Sequence, residues 1–125
     1  MTDKLAHLNT LTESIIGCVF TVANTLGVGF LEKVYENALV IELRKAGLKV
    51  LQQVEYEVMY ERQVVGKYIA DLVVADTILL ELKAVKEFDS VHTAMCINYL
   101  KVSNLPLCLL INFGKSRVDV KRIAL

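Results

Sequence analysis

Residues 70–85 read Ala-Asp-Leu-Val-Val-Ala-Asp-Thr-Ile-Leu-Leu-Glu-Leu-Lys-Ala-Val, and this stretch decides the fold. DLVV and TILL are the apolar runs of two strands, and Ala75-Asp76 is the tight turn between them. Yet Asp71, Glu81 and Lys83 stand inside these runs. Buried charge is costly unless it is paired, hydrogen-bonded or bound to metal. Side chains alternate along a strand, so Glu81 and Lys83 share a face. Pairing about the turn puts Asp71 across from residue 80 or 81, so two carboxylates and one ammonium share a patch. An isolated Glu-x-Lys is usually a solvated surface pair of little worth. Acids at matching depth on neighbouring strands are instead how an oxygen-rich site for a hard divalent cation is built.

Outward from this hairpin, residues 50–60 and 64–74 read as a strand pair turning at Glu61-Arg62-Gln63. The third strand covers 77–85 and is central, being apolar on both faces at its start. A helix over 89–103 follows, with Asp89 or Ser90 as N-cap. LCLLINF (107–113) is a strand parallel to 77–85, since a helical crossover joins them, and RVDVKRIAL is a last strand. Ahead of the strands, Leu5, Leu8, Leu11, Ile15, Val19, Val22 and Leu26 mark an amphipathic helix over 3–25. A second helix spans 30–46, stopped by Gly47. Glu32, Tyr35, Leu39 and Leu43 form one stripe on it. With Asp71 and Glu81, Glu32 would supply a third carboxylate.

The chain has 125 residues, 54% of them hydrophobic, which fits one domain over 1–125 with a real core. No uninterrupted apolar run approaches the ~20 residues that span a bilayer, and MTDKLAHLNT lacks a secretory pattern. A cytoplasmic protein without a membrane role is expected. Cys18, Cys96 and Cys108 sit among apolar neighbours and read as buried free thiols. Net charge is zero, but residues 1–82 hold 7 basic and 11 acidic side chains, and 83–125 hold 7 and 3. The basic C-terminal part suits an anionic partner such as nucleic acid, although no basic cluster is dense.

Gly29-x-x-Glu32-x-x-Tyr35 resembles the signature of the GxxExxY proteins, a small bacterial family within the PD-(D/E)xK nuclease-like superfamily. Asp71 and Glu81-Leu82-Lys83 resemble the superfamily motif, and INYLK (97–101) and LLINFG (109–114) resemble later family segments. The resemblance runs from about residue 10 to 123. It implies an α/β restriction-endonuclease-like fold: an αβββαβ core, a mixed central sheet flanked by helices, and one additional N-terminal helix. It also implies a divalent-metal nuclease acting on DNA. Asp71 and Glu81 would hold Mg²⁺ or Mn²⁺, with Glu32 completing that shell. Lys83 would position the attacking water, and Tyr99 joins the catalytic set. Two departures stand out: Ala70 replaces the motif proline, and Met95 replaces a common glutamine one turn before Tyr99. Methionine cannot replace an amide's hydrogen bonds and reads here as a core residue. That motivates an alternative, a weak or inactive nuclease-fold module that binds nucleic acid or protein. The long apolar stripe of the first helix motivates a third, an adaptor or homodimer joined through that helix or an edge strand.

Overall fold

A computed structural model describes residues 2–125. Helix α1 (Thr2–Leu26) and helix α2 (Glu32–Lys45) precede strands β1 (Val50–Tyr60), β2 (Gln63–Val74) and β3 (Ile78–Lys83). Helix α3 (Ser90–Ser103) then leads to β4 (Leu107–Asn112) and β5 (Asp119–Ile123). One five-stranded sheet runs β1-β2-β3-β4-β5. Only β3 and β4 are parallel, and α3 makes the crossover between them; the other neighbours are antiparallel.

The two faces of the sheet carry different helices. Leu11, Ile15, Val19 and Val22 of α1 and Leu39 and Leu43 of α2 cover one face, over Leu80, Leu82, Leu109 and Ile111. Cys96, Tyr99 and Leu100 of α3 cover the other, over Val73, Leu79, Cys108 and Leu110. β3 and β4 are therefore buried on both sides over most of their length, which is why 78–80 and 107–111 read as unbroken apolar runs. By length and hydropathy α1 is also long and apolar enough to cross a membrane. Its apolar stripe is instead spent on the sheet.

The elements follow the sequence with local differences, each with a cause. The β1–β2 turn has two residues rather than three. Tyr60 pairs with Gln63, and Glu61 and Arg62 both take left-handed φ (47° and 67°), the backbone that matches strand twist. α2 begins at Glu32 rather than residue 30, because the Tyr35 hydroxyl takes the Phe30 N–H (3.2 Å) and Gly29 turns the chain at φ 110°. β3 ends at Lys83 rather than 85. There the buried Asn112 accepts from the Val85 N–H (3.0 Å) and donates to the Val85 carbonyl (2.8 Å), drawing the chain out of the sheet. Asp89 caps α3, accepting from the Val91 N–H (2.7 Å) while His92 Nδ1 accepts from the Asp89 N–H (3.2 Å). Met95 is not a core residue. It lies on the outer side of α3, 36% exposed, while Cys96 and Tyr99 take the buried positions.

Candidate active site

The β2–β3 ladder pairs Val74 with Ile78, Val73 with Leu79 and Leu72 with Leu80, and then stops. Asp71 and Glu81 come next on each strand. Where the strands cease to pair, these two side chains take over the backbone donors. Asp71 Oδ2 accepts from the Leu82 N–H at 2.8 Å, and Glu81 Oε1 accepts from the Asp71 N–H at 3.4 Å. Each carboxylate is thereby fixed to the opposite strand. The Asp71 and Leu82 N–H groups, left without a strand partner, stay satisfied.

The two acids are close and poorly solvated. Glu81 is 5% exposed and Asp71 is half-buried. Burial and then the neighbouring Asp71 charge push the Glu81 carboxyl up to about 8. Asp71 is raised too, by burial first, against the hydrogen bond from Leu82. A like-charged pair out of water behaves in this way, since one proton relieves both desolvation and repulsion. Lys83 lies two residues after Glu81 on the same strand, and its charge favours ionisation of both acids. Lys83 is half-buried and forms no salt bridge among the described residues. An ammonium with no fixed partner beside an acid pair is free to act on a third party.

Tyr99 closes the site from α3. It is buried, and its hydroxyl donates to the Ile69 carbonyl (2.8 Å), two residues before Asp71. Burial and the Glu81 charge hold its phenol well above its ordinary value, so it remains a neutral donor. Its ring meets Tyr68 edge-on at 5.4 Å. Tyr99 thus ties α3 to the segment that carries Asp71.

Glu32 does not join the pair. It is exposed in the first turn of α2, and among the described residues no three His, Cys, Asp or Glu side chains converge as a metal cluster. The expected convergence of three acids is corrected to two. The neighbouring signature residues shape the loop instead. Gly29 adopts its positive φ, and Tyr35 stacks on Phe113 (4.6 Å) while its hydroxyl donates to the Gly27 carbonyl (2.6 Å). The buried carboxylate of α2 is instead Glu36, only 4% exposed. It accepts from Gln52 Nε2 (2.8 Å), Gln53 Nε2 (2.9 Å) and Lys33 Nζ (3.0 Å), and its charge reaches Asp71. Sequence reasoning passed over it. The available signals were its position one turn after Glu32 and the two adjacent glutamines in β1.

The donor set fits a hard divalent cation. It offers carboxylate oxygens from two strands, poorly solvated and mutually repelling. Mg²⁺ typically takes one or two carboxylates, with water and substrate oxygens filling its remaining positions. A third protein acid is not needed.

A mixed sheet with this order, helices on both faces and an acid pair at the open end of its central hairpin define an α/β restriction-endonuclease-like domain. The family profile described as the PD-(D/E)XK nuclease superfamily matches residues 9–123, and the chain belongs to that superfamily. No curated protein matches the chain. Among solved structures, the crystal structure of SSO0001 is similar with a TM-score of 0.59 at 18% identity, over 74% of this chain and 48% of that one. This likeness is one of fold. The chain spans about half the length of that protein.

Proposed function

We propose that the protein is a divalent-metal-dependent nuclease that hydrolyses DNA phosphodiesters, and that within the superfamily it falls in the GxxExxY group. One observation carries the reading. A buried carboxylate, Glu81, and a half-buried one, Asp71, face each other where β2 and β3 part, and beside them on β3 stands a lysine with no salt bridge among the described residues.

Asp71 and Glu81 would hold Mg²⁺ or Mn²⁺. Bound there, the cation supplies the charge that acidifies the attacking water and offsets the phosphate oxygens. The chain's own residues do the rest. Lys83 presents its ammonium to the water and to the charge that builds on the phosphate, preorganised by its place on a buried strand. Leu82 N–H and Asp71 N–H orient the two carboxylates, so that neither rotates away when the site fills. Tyr99 acts through β2, holding Ile69 and hence Asp71 in depth.

The test is cleavage of supercoiled, linear and branched DNA with Mn²⁺. Wild type is expected to nick at least one of them. Lys83→Ala should lose about 100-fold or more in rate while still binding DNA, and Asp71→Ala should be inactive. A second reading, a nuclease-fold module that binds without cutting, draws on Met95, which offers no amide at its place on α3. It predicts salt-sensitive DNA binding with no nicking in any metal. Nicking that depends on Lys83 rejects it.

A further inference from the structure

Besides a register shift between Val58 and Met59, strand β1 holds one residue in left-handed geometry. Gln52 pairs with Leu72 and Val54 with Ala70, but between them Gln53 is unpaired and takes φ 52°. The register sets Gln53 against Asp71. A left-handed residue inside a strand is unfavourable for any side chain with a Cβ, and it persists only where its surroundings enforce it. Here Glu36 enforces it. Each of its oxygens takes a glutamine amide, Oε1 from Gln53 (2.9 Å) and Oε2 from Gln52 (2.8 Å), and Oε2 also receives Lys33 (3.0 Å). Gln52 additionally donates to Asn37 Oδ1 (3.1 Å), so two adjacent residues of β1 are clamped to one turn of α2.

A neutral side chain would join α2 to β1 at less cost than a carboxylate that is 4% exposed. What the carboxylate adds is two acceptor oxygens, one for Gln53 and one for Gln52, which an amide with a single oxygen cannot offer at both positions. Its oxygens are already engaged, and it forms no cluster with the acid pair. It acts from outside any coordination shell.

We propose that Glu36, held by Gln52 and Gln53, is a positioning residue of the active site: it fixes the kinked stretch of β1 against Asp71 and so keeps that carboxylate in place for a divalent cation. This rests on the metal site proposed above.

The test is titration of the full chain with Mn²⁺ alone by calorimetry, with thermal melting of each variant alongside. Glu36→Gln keeps shape but leaves only one oxygen to accept from the two glutamines; the Mn²⁺ dissociation constant should rise about tenfold, as expected for losing a group that orients a ligand. Gln53→Gly accepts the left-handed backbone but releases one arm of the clamp; the constant should rise about threefold as the kink loosens against Asp71. If both variants melt lower yet bind Mn²⁺ as wild type does, the clamp is only structural and the inference is overturned. If wild type gives no heat that Asp71→Ala abolishes, the metal site itself falls, and the inference with it.

Discussion

At the residue scale, the signature positions divide between chemistry and architecture. Glu81, Asp71 and Lys83 could be read from the sequence, because charge inside apolar strands has few inexpensive explanations. Glu36 could not. A glutamate in a helix is ordinary, and its burial depends on Gln52 and Gln53, which reach it only after α2 and β1 have packed. Tyr35 belongs to the architecture. Tyr35→Phe keeps the stack on Phe113 but deletes the bonds to Gly27 and Phe30. It should cost about 1–2 kcal/mol in denaturant unfolding and leave Mn²⁺ affinity unchanged. Gly114 is required by space. A Cβ there would collide with the Val85 carbonyl oxygen, a backbone atom already held by Asn112. Gly114→Ala should destabilise by about 2–3 kcal/mol and displace the segment after Lys83, visible as a lowered melting temperature.

At the element scale, the informative feature is where β2 and β3 stop pairing. Strand runs and turns were legible to within a few residues. The parting of the strands after Leu72–Leu80 was not, since no residue there is a strand breaker and the cause is two carboxylates that capture Asp71 N–H and Leu82 N–H. Stability should register this site without any substrate. Glu81 has an ordinary value of 4.5 and is raised to about 8 in the fold. Between those limits the unfolded chain releases a proton that the folded chain keeps. The stabilisation is therefore whole below the lower value and is lost as pH rises through the upper one. In chelator, the protein should lose on the order of 2–4 kcal/mol of stability between about pH 4.5 and pH 8. Glu81→Gln should flatten that slope, and Mn²⁺ at the alkaline end should restore stability. Melting curves across this range in chelator decide it; a profile identical in wild type and Glu81→Gln would mean that the pair is neither close nor dry. At α3, Asp89→Ala removes the cap to Val91 and should cost about 1 kcal/mol without touching the acid pair.

At the scale of the whole molecule, a doubly covered parallel pair forms the centre of the sheet and a long antiparallel hairpin extends from it. β3 and β4 lie between α1 with α2 on one side and α3 on the other. The outer part of β1–β2, with Met59, Tyr60, Val64 and Val65 exposed, has no helix over it. Native-state hydrogen exchange should find the amides of Leu80, Leu109 and Leu110 slowest and those of residues 57–66 among the fastest in the sheet. The order of helices and strands was legible because alternation and crossover rules act on patterns that the chain displays openly, whereas the αβββαβ core with helices flanking its sheet was implied only by the family resemblance. What the patterns did not carry was the depth at which helix residues meet the site, which is why Glu32 was expected there and Glu36 was not. The metal centre is the claim on which the mechanism turns, and diffraction from crystals soaked in Mn²⁺ tests it most directly. An anomalous peak between the Asp71 and Glu81 carboxylates, absent from Asp71→Ala crystals, is the predicted result. A saturating soak that leaves that position featureless would contradict the account.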